Sequence, residues 1–146
     1  TKLLNIVRPD VLSLGQKDAQ QTAVLRHVIN DLQMPVRVDI VPTVRESDGL
    51  ALSSRNAYLS PRQRDAAPAL HRALVLLRDA MLSGAKKADA VAGAHRALPA
   101  QAALEYLDVV DADTFEPLDS LRPPAFVIGA ARLGTTRLLD NLWIDS

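Results

Sequence analysis

The sequence predicts an α/β chain in two parts, a strand–helix–strand unit followed by a small α+β unit. Two observations carry that expectation. Val11-Leu12-Ser13-Leu14 and Val36-Arg37-Val38-Asp39-Ile40-Val41 are short, strand-like runs on either side of one amphipathic helix. A strand, a helix and a strand within about thirty residues form a βαβ unit, with parallel strands and a right-handed crossover. Beyond Ser60 the order changes to two helical patterns and then three strand-like runs, which is the order of an α+β unit. The boundary is expected near Val44, giving parts at residues 1–44 and 45–146.

Each element has a local reason. Thr1 to Val7 reads as the last turns of an amphipathic helix, so the chain is expected to be the C-terminal portion of something longer. Arg8-Pro9-Asp10 ends that helix, because proline disfavours helix in the residue before it. Gly15 punctuates the first strand, and a helix is expected from Lys17 to about Leu32, with Leu25, Val28, Ile29 and Leu32 as its apolar face. Pro35 follows, and residues 36–41 alternate as the second strand. Ser60-Pro61-Arg62-Gln63 has the form of a capping box with proline at the first helical position. From there Ala67, Leu70, Leu74, Leu77 and Met81 recur at spacings of three and four, which predicts one continuous helix to Ser83-Gly84. A second helix is expected over residues 87–98, stopped by Pro99. Residues 104–110, 126–131 and 138–144 read as strands, and Trp143 is expected in the core.

Composition removes several function classes. The 146 residues carry 17 basic and 17 acidic side chains, so there is no basic footprint for nucleic acid or an anionic membrane. Aromatic residues are 3%, too few for base-stacking platforms. The absence of cysteine excludes disulfides, thiolate metal sites and cysteine nucleophiles. No apolar run approaches the length of a membrane span, and a cytoplasmic protein is the expectation. His27, His71 and His95 have no metal-ligand spacing and read as structural; no metal site is expected in the chain.

The chemistry concentrates in loops. In open parallel sheets, ligands sit beyond the carboxyl ends of the strands. Gly15-Gln16-Lys17-Asp18 lies beyond the first strand, and the polar stretch at residues 42–59 lies beyond the second. That stretch holds Arg45, Asp48, Gly49, Ser53, Ser54, Arg55 and Asn56. Two hydroxyls followed by a guanidinium suit phosphate oxygens, since arginine grips two oxygens at once. Each piece also has a bland reading. Lys17 and Asp18 suit any solvated helix start, Gln21 any solvent-facing helix position, Asp48-Gly49 any turn, and Arg132 and Arg137 any local salt bridge.

Taken in series, the segments resemble the pantothenate synthetase (pantoate–β-alanine ligase) family. They are Gly15-Gln16-Lys17-Asp18-Ala19-Gln20-Gln21, Val41-Pro42-Thr43-Val44-Arg45, Asp48-Gly49-Leu50-Ala51-Leu52-Ser53-Ser54-Arg55-Asn56, and Ala131-Arg132-Leu133-Gly134-Thr135-Thr136-Arg137-Leu138-Leu139-Asp140-Asn141. The resemblance spans the chain in order and implies the last βαβ unit of a Rossmann-like nucleotide-binding domain, followed by a small α+β C-terminal domain. It implies an AMP-forming ligase: ATP, with Mg2+, and pantoate give pantoyl adenylate and pyrophosphate, and the β-alanine amine then displaces AMP. Carried over by position, Gly15, Gln16, Lys17 and Asp18 contact ATP, with Lys17 on the phosphates. Gln21 binds pantoate, Val44 meets the adenine side through its backbone, and Leu52, Ser53, Ser54 and Arg55 close over the phosphates. Lys17, Ser53, Ser54 and Arg55 are then the catalytic set, and a homodimer is implied for the complete protein.

The departures are also specific. Leu14 stands where an aromatic is frequent in the family, and Gln16 where glutamate is common. The family's His-x-Gly-His element has no counterpart in this sequence, so half of an active site is expected. A non-catalytic assembly or regulatory module is the alternative reading. The loop at 42–59 is expected to be a mobile lid, because residues 46–51 offer few large apolar anchors.

Overall fold

The computed structural model describes residues 1–145, which divide into two compact units, Thr1–Thr43 and the residues from Val44 onward. In the first unit, α1 (Lys2–Val7) ends where Arg8 takes a left-handed conformation, φ 49°, and its N–H bonds the Leu4 carbonyl at 2.8 Å. Strands β1 (Val11–Gly15) and β2 (Arg37–Val41) pair in parallel, with Val11 opposite Arg37 and Gly15 opposite Val41. The intervening helix differs from expectation at its start. Gln16–Asp18 form a 3-10 turn, and α2 (Ala19–Asp31) begins only after Asp18, whose ψ of 60° lies outside the α region. Its buried residues are Ala19, Thr22, Ala23 and Ile29, so of the expected apolar face only Ile29 is fully covered, and Leu32 is 55% exposed.

The second unit holds α3 (Pro61–Ala66), α4 (Ala69–Leu82), α5 (Lys87–Arg96) and three strands, β3 (Ala102–Asp111), β4 (Ala125–Leu133) and β5 (Thr136–Ile144). The strands form an antiparallel sheet in the order β3-β4-β5. Both halves of the capping box are made: the Ser60 N–H donates to Gln63 Oε1 at 2.9 Å, and the Gln63 N–H donates to Ser60 Oγ at 3.4 Å. The single helix expected from Pro61 is two, interrupted at Ala67-Pro68. Proline at 68 has no N–H for the helical ladder, and its ring crowds the carbonyl four residues back. The apolar stripe survives the break, and Ala67, Leu70, Leu74, Leu77 and Met81 are all buried.

That stripe packs on the sheet at its barest point. A Cβ at Gly129 would stand 2.8 Å from Leu107 Cδ2 and 3.0 Å from Leu74 Cδ2, so the glycine admits the α4 side chains to the middle of β4. Ala125, Val127, Ala131 and Leu133 of β4 join the same core with Val109. At the β4–β5 turn Leu133 faces Thr136 and Gly134 has φ 59°, the left-handed first position of a two-residue hairpin turn. Trp143 also departs from expectation. It is 42% exposed, because Leu142 and Ile144 beside it turn toward the core and alternation sends residue 143 to the other face. There it meets Phe126 edge-on, with ring centres 4.9 Å apart. Among the described residues, no helix is long and apolar enough to cross a membrane.

Candidate functional site

At the carboxyl end of β1 the structure groups Gly15, Gln16, Lys17, Asp18 and Gln21 around the start of α2. Gly15 is extended, with φ −74° and ψ 129°, and a Cβ there would meet no atom within 4 Å. Neither backbone angle nor packing within the chain requires glycine at that position. Gln16 and Lys17 are half-buried in the 3-10 turn, while Asp18 and Gln21 are exposed. The Thr22 hydroxyl donates to the Asp18 carbonyl at 3.3 Å, which ties the turn to the helix behind it.

In the second unit, Leu52, Ser53, Ser54 and Arg55 fall together at the start of a 3-10 turn, Ser54–Tyr58. Ser53 is its cap: its Oγ accepts from the Arg55 N–H at 3.2 Å. The Ser54 and Arg55 side chains are exposed, and among the described residues neither makes a hydrogen bond or ion pair. Leu52 is 50% exposed and donates its N–H to the Val44 carbonyl at 2.9 Å. Val44 itself is 62% exposed at the head of the loop.

The rest of the loop is committed to structure. Arg45 and Ala51 form an antiparallel bridge, and the Glu46 N–H donates to the Leu50 carbonyl at 2.8 Å. The Arg45 guanidinium straddles Asp140 of β5, Nη1 to Oδ2 at 2.7 Å and Nη2 to Oδ1 at 2.9 Å. It also donates to the Gly49 carbonyl at 3.1 Å and the Asn141 carbonyl at 3.0 Å. Asp140 is 6% exposed. Burial pushes its pKa up, but His71, Arg45 and the Asn141 N–H outweigh that and hold it below the ordinary aspartate value. His71 Nδ1 stands 3.4 Å from Asp140 Oδ2, at ion-pair distance but without hydrogen-bond alignment. Gly49, at φ 93°, is packed close to the same imidazole, and a Cβ there would be 2.7 Å from His71 Cδ2.

Arg64 of α3 clamps the other side of the loop, with Nη2 on Glu46 Oε2 and Nη1 on Asp48 Oδ2, each at 2.6 Å. These contacts hold the Asp48 carboxyl below its ordinary pKa, the Arg64 hydrogen bond first and the Leu50 N–H second. Asn56 donates Nδ2 to the Ala51 carbonyl at 3.1 Å. The expectation of few anchors over residues 46–51 is therefore corrected: Leu50 and Ala51 are buried, and Glu46 and Asp48 are ion-paired. Of the polar loop residues, Arg45, Asp48 and Asn56 hold the fold, and Ser54 and Arg55 are left outward. Arg132 and Arg137 take the local reading, both donating Nε to Glu105 at 2.7 Å. The supporting residues Asp140, His71 and Arg64 had no local signal in the sequence, because Arg45 and Asp140 are separated by 95 positions.

Comparison with known proteins points one way. The family model described as pantoate-β-alanine ligase matches residues 1–143. Pantothenate synthetase of Paramagnetospirillum magneticum is 48% identical across 99% of the chain, and that of Acidiphilium cryptum is 49% identical across 97%. The chain spans about half the length of these curated relatives, 52% and 51%. The crystal structure of the Thermus thermophilus enzyme superposes with a TM-score of 0.92 at 42% identity, covering 99% of this chain and 53% of that one. The Francisella tularensis pantoate-β-alanine ligase, solved in complex with β-γ ATP and β-alanine, superposes with a TM-score of 0.69 at 27% identity, covering 97% of this chain and 46% of that one.

Proposed function

Because the chain belongs to the pantoate–β-alanine ligase family, we propose that it supplies the carboxyl-terminal share of an ATP-dependent, AMP-forming carbon–nitrogen ligase. One observation carries the reading furthest: among the described residues, the Ser54 hydroxyl and the Arg55 guanidinium stand unpaired and exposed on a turn whose preceding loop is pinned by Arg45, Arg64 and two buried residues. An unpaired hydroxyl and guanidinium on a held base are preorganised donors for phosphate oxygens. Gly15 supports the same reading, since an unshielded backbone at the end of a parallel strand admits a nucleotide closely.

The reaction has two displacements. A pantoate carboxylate oxygen attacks the α-phosphorus of ATP, which enters with its Mg2+, and pyrophosphate leaves. The amine of β-alanine then attacks the acyl carbon of pantoyl adenylate, the C–O bond to AMP breaks, and the amine proton is released to solvent. No protein nucleophile is needed. The protein's task is to offset the repulsion between carboxylate and triphosphate. Lys17, Ser53, Ser54 and Arg55 act on phosphate oxygens, Gly15, Gln16, Asp18, Val44 and Leu52 line the nucleotide, and Gln21 takes pantoate. The complete ligase is a cytoplasmic homodimer on this reading.

The test is pantoate-dependent pyrophosphate release by a complete ligase, made by joining this chain to the preceding half of a curated relative. Lys17→Ala should lower turnover by about a hundredfold, the usual effect of losing one preorganised donor, while pantoate KM changes little. Unchanged turnover would remove Lys17 from the site. The 146-residue chain alone should release no pyrophosphate, and release above background would sink the division of labour between the halves.

A further inference from the structure

We infer that Arg45 and Asp140 are positioning residues for the Ser53–Arg55 phosphate segment, and that the β4–β5 hairpin is the base on which that segment is set. This rests on the ligase reading above. The late Ala131–Asn141 stretch is prominent in the sequence yet offers no group to substrate in that reading. The structure gives it another task. The loop from Val44 to Gln63 is attached to the hairpin at both ends. At the front, the Arg45 fork closes on Asp140 and reaches the Asn141 carbonyl. At the back, the Gln63 side-chain amide lies so close over Gly134 that a Cβ there would collide with it.

The front attachment leads directly to the phosphate segment. Arg45 bridges Ala51 through the backbone, and Leu52 donates to the Val44 carbonyl, so the strand entering Ser53 is paired with the residues that Asp140 holds. Asn56, just past the segment, bonds the Ala51 carbonyl as well. Ala51 is 3% exposed and ties the entrance of the turn to its exit. A shift of Arg45 is thereby transmitted to the Ser53 cap and to the direction in which Arg55 leaves the backbone.

Two facts separate positioning from ligand binding. The Arg45 terminal nitrogens already make four hydrogen bonds within the protein, so both ends of the fork are committed, while the guanidinium of Arg55 has no partner among the described residues. A buried ion pair also contributes little net stability compared with apolar packing of the same volume, but its bidentate geometry is directional. Direction is what a segment that must meet phosphate oxygens requires.

The experiment uses Asp140→Asn, Arg45→Lys, Arg55→Ala and, as a core control, Leu74→Ala. Hydrogen exchange at residues 52–56 and, in the variants that keep Arg55, tryptic cleavage after it are read in the 146-residue chain; KM for ATP, KM for pantoate and Tm are read in the complete ligase. Arg45→Lys keeps the charge and loses the fork, so it answers for the clamp if Asp140→Asn fails to fold. Both clamp variants should speed exchange at 52–56 and raise KM for ATP by about tenfold with little change for pantoate, since small misplacement of a binding group is costly. Leu74→Ala should lower Tm without that split. Clamp variants that behave like Leu74→Ala, losing Tm alone, would overturn the inference. An Arg55→Ala protein with unchanged KM for ATP would instead overturn the ligase reading of this segment and take the inference with it, whereas a large Arg55→Ala effect beside silent clamp variants refutes positioning alone.

Discussion

Asp140 shows how much one side chain can carry. It is buried, yet its carboxyl stays below the ordinary value of 3.8, because His71, Arg45 and a backbone N–H more than offset desolvation. A depressed carboxylate stabilises the fold at pH values above the unfolded pKa, and that contribution is lost as pH falls through the folded one. Asp140→Asn should therefore lower stability by about 3 kcal/mol near neutrality, the usual scale for stranding a partner of a buried pair. The gap between the two proteins should be full above about pH 5 and close progressively below it, as the wild type loses the same charge. Urea denaturation at a series of pH values checks this, and a constant gap down to about pH 2 would show that charge is not the cause. Arg55 is the opposite case. An exposed guanidinium with no partner among the described residues contributes almost nothing to folding, so Arg55→Ala should leave Tm within about a degree while weakening nucleotide-dependent protection of the same turn from chymotryptic cleavage after Tyr58. Equal cutting of the complete ligase with and without ATP would remove its closing role.

Among the elements, the packing of α4 on β4 is the tightest fit. Gly129 faces Leu107, Leu74 and Leu70 at 2.8, 3.0 and 3.2 Å from where a methyl would stand. Gly129→Ala should destabilise by about 1–3 kcal/mol through overpacking, although alanine suits a strand better than glycine. Equilibrium unfolding measures it, and a stabilised variant would mean that the helix can retreat without loss. The start of α3 is a separable contribution. Ser60→Ala removes one half of a capping box made with both hydrogen bonds, and should lower stability by about 1 kcal/mol. Because Gln63 also covers Gly134, a larger loss in Gln63→Ala than in Ser60→Ala would report the contact with the hairpin turn.

For the molecule as a whole, the two units differ in how well they are covered. The second has a continuous core in which Leu74, Leu77, Val109, Val127 and Leu133 are fully buried. The first has a two-stranded sheet, four buried residues on α2, and Leu3, Ile6, Val7, Val24, Ile40 and Val41 exposed. Two strands and one helix are marginal in water. Residues 44–146 should fold cooperatively when expressed alone, and in the 146-residue chain amides of β4 and α4 should exchange far more slowly than those of β1 and β2. Equal protection in both units would contradict the unequal burial.

What the sequence by itself determined is whatever depends on neighbours along the chain. The capping box at Ser60, the buried stripe from Ala67 to Met81, and the parallel pairing implied by strand, helix and strand are patterns of a few residues with a fixed period. The four motifs in order also sufficed to indicate the family. Local pattern has limits: the period of the stripe concealed the break at Pro68, the polar run after Gly15 did not show the 3-10 turn before α2, and a strand-like run around Trp143 could not say which face points inward. Only the tertiary structure decided which polar residues of the 42–59 stretch are available. Arg45 and Arg55 are the same residue type ten positions apart, and nothing local distinguishes them. Folding brings Asp140 beneath one and leaves no described side chain on the other, because a charge entering a low-dielectric interior must take its counter-ion from wherever the sheet delivers it.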